Sequence, residues 1–164
     1  MQKEIPAVLF HIPLVRWVRR TIERVNDVGN DGFETWSKCW FETYKELDGQ
    51  RAASGSKHCP QRAAHCLWLL GRISNSGKVF QHWTLERVLE DLGPNAVYSL
   101  WALDLLVRKR GEMNIPDNWS TAEIWAEVRK LYPATLGKQP AVSEQGAVRV
   151  ALALFIEDQI VTKP

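Results

Sequence analysis

The chain is short of several things, and each shortage removes a class of protein. It holds only three cysteines, Cys39, Cys59 and Cys66. An odd and small number cannot close a complete disulfide framework, which points to a reducing compartment. No uncharged apolar run approaches the ~18 residues that a spanning helix needs. The apolar stretch from Ala7 to Val18 is interrupted by Pro13, diluted by His11 and Arg16, and followed by no small-residue cleavage site. Neither a signal peptide nor a membrane anchor is expected, and the expected location is the cytoplasm. β-branched runs with period-two alternation are missing, so strands have little support. No Ser-His-Asp order, dinucleotide fingerprint, HExxH sequence or paired-carboxylate site occurs, which counts against an enzyme. Net charge is also small: 21 Lys and Arg against 19 Asp and Glu give +2, which does not suit a generic polyanion binder. One absence is local. Between Arg51 and Phe80 there is no Asp or Glu, while Arg51, Lys57, Arg62, Arg72 and Lys78 all fall there with His58 and His65. That stretch is a candidate anion-facing region.

What is present is the composition of a globular protein, with 45% apolar and 24% charged residues in 164 positions. One domain over residues 1–164 is expected, burying about two-thirds of its unfolded surface. Apolar spacings of three and four recur, and they predict seven helices. Pro13 opens the first, with Leu14, Trp17, Val18, Ile22 and Val25 along one stripe and Gly29 as its stop. Asp31 is placed as the cap of a second helix bearing Trp36, Trp40 and Tyr44 and ending at Gly49. After a polar loop, Pro60 opens a third helix, Gln61 to Leu70, closed by Gly71. Thr84 starts a fourth that stops at Gly93. Pro94 opens a largely apolar fifth helix, expected to be central, which ends at Arg108-Lys109-Arg110-Gly111. The capping box Ser120-Thr121-Ala122-Glu123 starts a sixth that stops before Pro133, and Ser143 caps a seventh running to about Asp158.

The order of these helices suggests an internal repeat. Phe33-Glu34-Thr35-Trp36, a polar loop, Ala63 to Leu70 and then Ile73 are echoed by Ala122-Glu123-Ile124-Trp125, a loop, Ala147 to Leu154 and then Ile160. The expected fold is therefore an all-α compact bundle of about seven helices. It is arranged as two pseudo-repeats of three helices, 11–73 and 94–161, with a linking helix over 83–92.

The run Lys57-His58-Cys59-Pro60-Gln61-Arg62-Ala63, ending in Leu70-Gly71-Arg72-Ile73, resembles the central signature of a family of small bacterial all-helical domains of unknown function. In that family a Cys-Pro-x-x-Ala helix ends in Gly followed by an aliphatic. Ser143-Glu144-Gln145 with Ala151 to Phe155, and Tyr98-x-x-Trp101-Ala102 with the Trp125 helix, extend the likeness over most of residues 11–161. Leu69-Leu70 stands where the family tends to be acidic, and Glu157-Asp158-Gln159 where it tends to have Gly. The resemblance implies a two-repeat helical fold and a bacterial or bacteriophage source, and no activity.

Chemistry is concentrated in Ser54-Gly55-Ser56-Lys57-His58-Cys59-Pro60-Gln61-Arg62. A Gly/Ser loop feeding a helix start offers backbone N–H groups and the positive end of the dipole, beside full charges. Ser56, Lys57, His58, Arg62, Arg51 and Arg72 are the candidate ligand-binding residues. The plainer alternative is a solvated connector in which Ser56 or Cys59 caps the helix. Cys59 beside His58 is a weak candidate nucleophile, since a thiolate is stabilised at a helix start near cations; a structural cysteine is the alternative. His58, Cys59, His65 and Cys66 match no metal-ligand spacing, so neither a metal nor a cofactor is expected. Arg16, Trp17 and Arg20, within an Arg-rich first helix, form a candidate surface for an acidic partner or nucleic acid; ion pairs of Arg19 and Arg20 with Glu23 and Asp27 are the alternative. The expected function is a non-enzymatic binding protein receiving a nucleotide, a phosphate or nucleic acid at the basic loop, with phage or bacterial defence and anti-defence as the expected setting. Two alternatives stay open: a protein-interaction module or inhibitor acting through an apolar or Arg-rich helix face, and a Cys59-dependent enzyme. No membrane partner is expected, and the sequence does not set the oligomeric state.

Overall fold

A chain whose apolar residues recur at helical spacing has to bury those stripes against one another. The computed structural model, which describes residues 8–112, 121–136 and 145–162, shows an all-α bundle built that way. Its elements are a two-residue hairpin, β1 (Val8–Leu9) and β2 (Ile12–Pro13), then α1 (Leu14–Val28), α2 (Phe33–Glu46), α3 (Ala52–Gly55), α4 (His58–Leu69), α5 (Leu85–Leu92), α6 (Pro94–Glu112), α7 (Thr121–Leu136) and α8 (Gln145–Ile156). The longest, α6, packs against α4, α5, α7 and α8. It earns the central position because Val97, Leu100, Trp101, Ala102, Leu103, Leu105 and Leu106 are buried on several of its sides. No described helix is long and apolar enough to cross a membrane.

The hairpin is a feature that the alternation rule misses. β1 and β2 pair antiparallel with Val8 opposite Pro13 and Leu9 opposite Ile12. Phe10 and His11 form its turn with φ of 52° and 67°, the backbone of a type I′ hairpin, made here without Gly or Asn. Helix boundaries also move. Gly32, not Asp31, is the N-cap of α2, because the Asp31 carboxylate is drawn to Lys78 Nζ at 2.8 Å. Pro133 does not stop α7, which continues to Leu136. The expected sites at Ser120 and Ser143 lie outside the described residues.

The two halves interlock. Four first-half tryptophans form a continuous stack: Trp17 on Trp40 at 4.2 Å, Trp40 by Trp36 at 6.3 Å, and Trp36 on Trp68 at 5.2 Å. α4 and α8 are both 12 residues long, and they end alike. After α4, Gly71 N–H donates to Trp68 O and Arg72 N–H to Leu67 O, while Gly71 takes φ 73°. After α8, Asp158 N–H donates to Phe155 O and Gln159 N–H to Leu154 O, while Asp158 takes φ 56°. Both are Schellman ends. The chains leaving them meet in an antiparallel bridge between Ile73 and Ile160. Counted back from those isoleucines, the counterpart of Ala63 is Val150 rather than Ala147.

Candidate functional site

The acid-free segment divides between the two ends of α4. At its start, the buried Tyr44 ring fixes the approach. Its hydroxyl donates to Arg51 O at 2.8 Å and accepts from Arg51 N–H at 2.9 Å. Gly49 and Gly55 lie flat on that ring, where a Cβ would come within 2.3 and 2.4 Å of it. The Arg51 backbone is thus pinned while its side chain stays exposed. Ser56 Oγ donates to Ala52 O at 2.9 Å and so serves α3 rather than capping α4. Helix α4 begins at His58, two residues earlier than the proline rule places it, with Lys57 as an N-cap that makes no side-chain cap bond.

The helix start is not the bare tip that the sequence suggests. Pro60 and Gln61 are buried, and the first turn of α8 covers that side: a Cβ on Gly146 would fall 2.3 Å from Cys59 Sγ. Cys59 is half-buried there, whereas Ser56, Lys57 and His58 face solvent. The polar character of this corner therefore comes from side chains. The Arg62 guanidinium lies 3.5 Å over the Phe33 ring, His58 stands edge-on to the same ring at 6.2 Å, and Lys57 Nζ sits 5.6 Å from the Phe10 ring. Among the described residues, no carboxylate pairs with Arg51, Lys57, His58 or Arg62. Burial pulls the Arg62 pKa down. Beside them opens a groove of about 690 Å³ lined by Phe33, Ser37, Lys38, Phe41, Ser56 and the acids Glu34 and Glu42. Phe33, Ser37 and Phe41 recur every fourth residue on α2 and so share one face, on which the two phenylalanines of the helix's apolar set are only partly buried.

Arg72 does not belong to this corner. It follows the opposite end of α4, and 12 residues of helix span about 18 Å. Its guanidinium stacks on Phe80 at 3.6 Å.

Other expectations resolve individually. Trp17 is fully buried and donates from Nε1 to Trp40 O at 3.0 Å, which removes it from any partner surface. Arg16 is exposed. Arg20 is held by Glu23 and by Glu46 of α2, each at 3.0 Å. Arg19 takes no acid but clamps Gln159 Oε1 at 2.6 Å and Ser74 Oγ at 3.2 Å. His65 and Cys66 are core residues: His65 Nε2 donates to Asp31 O at 2.8 Å, and burial pushes the Cys66 thiol up to about 12. Among the described residues no three of His, Cys, Asp and Glu gather to hold a metal ion. In comparisons with protein-family models, curated proteins and solved structures, none matches this chain.

Proposed function

We propose that this is a non-enzymatic binding protein that receives a nucleotide at the α2–α4 corner. The observation that carries this reading is the Arg62 guanidinium, stacked on Phe33 at 3.5 Å and paired with no described carboxylate, at the edge of an aromatic-walled groove. A half-buried cation without a counter-ion favours an incoming anion, and a guanidinium offers phosphate a planar bidentate edge. Lys57 and His58 add exposed donors. Phe33 and Phe41 supply faces for a base, and Glu34 or Lys38 supplies partners for its edge.

The test is a thermal-shift titration at low salt with ATP, GTP, adenosine and inorganic phosphate. Nucleotides are expected to raise Tm, with a stabilisation of about 2.7 kcal/mol at a ligand concentration a hundred times Kd. Adenosine and phosphate, each carrying half of the recognised chemistry, are expected to do less. Lys57→Gln/Arg62→Gln should remove the shift and Arg72→Gln should leave it intact. No shift with either nucleotide would end the proposal.

A further inference from the structure

The other end of α4 carries a cavity of its own. About 360 Å³ in volume, it has an apolar floor of Leu103, Val107 and Val161, with Arg72, Asp104 and Arg108 among the residues around it. That volume lies within the range of small-molecule sites, about 300–1,000 Å³. Arg72 is placed with unusual firmness for a surface arginine. Its main chain is held at both ends, N–H to Leu67 O and C=O from Val161 N–H, each at 2.8 Å. Its Nη1 donates to Leu70 O at 2.6 Å, and the guanidinium plane rests on Phe80. The remaining N–H groups have no partner among the described residues. Burial lowers the Arg72 pKa, as expected of a cation whose counter-ion is not in contact. Asp104 is near enough to act on it through space but forms no ion pair with it, and among the described residues Arg108 has no carboxylate partner either.

We infer that this cavity binds a small monocarboxylate with an apolar body, its carboxylate on Arg72 and Arg108 and its hydrocarbon on Leu103, Val107 and Val161. The charge count selects this class. Arg72, Arg108 and Asp104 sum to a single positive charge, to which His82, also in the lining, adds none in its neutral form, so one carboxylate neutralises them, whereas a phosphate dianion would leave them negative. The fork of one guanidinium fits a carboxylate in two parallel hydrogen bonds. The floor gives hydrocarbon a place that a bare inorganic anion does not use. Asp104, beside the cations, is also the group that would accept an ammonium, so the carboxylate can be that of an amino acid or of a plain carboxylic acid.

Isothermal titration calorimetry of the whole chain with 3-phenylpropionate, phenylalanine and inorganic phosphate decides the matter. Saturable binding of at least one organic carboxylate is expected, weakened tenfold or more in Arg72→Gln and less in Arg72→Lys, which keeps the charge and loses the fork. Arg108→Gln provides a second arm if Arg72→Gln does not fold. Arg62→Gln, at the other end of α4, should change nothing, which separates this cavity from the nucleotide corner. Phenylalanine binding more tightly than 3-phenylpropionate would identify an amino acid as the natural source, and the reverse order a simple acid. Absence of heat with both at millimolar concentration, binding indifferent to both arginine variants, or tighter binding of phosphate would overturn the inference.

Discussion

His65 shows how one buried side chain ties pH to stability. Its Nε2 donates to Asp31 O, so the proton resides there and Nδ1 is left as a bare acceptor with no partner. Phe33, Trp36 and Trp68 surround the ring, and burial lowers its pKa against the opposing pull of the Asp31 carbonyl. The unfolded chain then takes up the proton first. Stability contributed by neutral His65 is complete above its unfolded pKa of about 6.5 and declines as pH falls from there toward the lower folded value. Urea midpoints measured at pH 8, 6 and 5 should decrease in that order, and His65→Gln should flatten the decline; an unchanged slope in the variant would remove His65 as its cause. Tyr44 supports the nucleotide corner in a different currency. Its hydroxyl both gives to and takes from the Arg51 backbone. Tyr44→Phe leaves that N–H unpaired while the C=O keeps Ser54 N–H at 3.0 Å, at an expected cost of about 1 kcal/mol, readable as a lower denaturant midpoint at unchanged m-value.

Element by element, legibility followed locality. Gly29 does stop α1, with φ 80° and its N–H on Val25 O at 2.9 Å, because the left-handed stop is written in one residue. Thr84 does cap α5, accepting from Arg87 N–H at 3.2 Å. Thr84→Ala should cost about 1 kcal/mol, and an equal midpoint for the two proteins would show the cap to be idle. Where a distant group competes, local signals fail. Asp31 carries a good cap side chain but spends it on Lys78, 47 positions away. Asp48 takes φ 65° at the end of α2 where Gly49 was expected to make the turn. Trp17 satisfied two patterns at once, a core stripe and an Arg-rich surface, and only the position of Trp40 decides between them. The candidate site was legible in its residue types but not in its grouping. In sequence, Ser56, Lys57, His58 and Arg62 form one cluster with Arg72, because sequence proximity hides the length of the helix that separates them.

At the scale of the whole molecule, the halves are built to fold together. α8 closes the start of α4 through Gly146, and the chain after α8 bridges back to Ile73, where Arg19 of α1 clamps both exits. The tryptophan stack lies in the first half, whereas Trp101 and Trp125 lie with Gly146 in the second, so tryptophan fluorescence follows both halves at once. A methyl at Gly146 would be driven into Cys59 Sγ at 2.3 Å and would also approach Pro60 Cδ at 3.4 Å. Overpacking of that kind costs about 1–3 kcal/mol, against an intrinsic helix gain of up to about 1 kcal/mol for Gly→Ala. Gly146→Ala should therefore lower the urea midpoint, and by the same amount whether followed by tryptophan fluorescence or by helical circular dichroism. Cys59→Ala in the same chain removes the sulfur that the methyl strikes, so the double variant should recover part of the loss, a coupling that independent sites do not show. Divergent midpoints from the two probes would mean that the halves unfold separately, and strictly additive losses would mean that the α4–α8 contact is too yielding to join them.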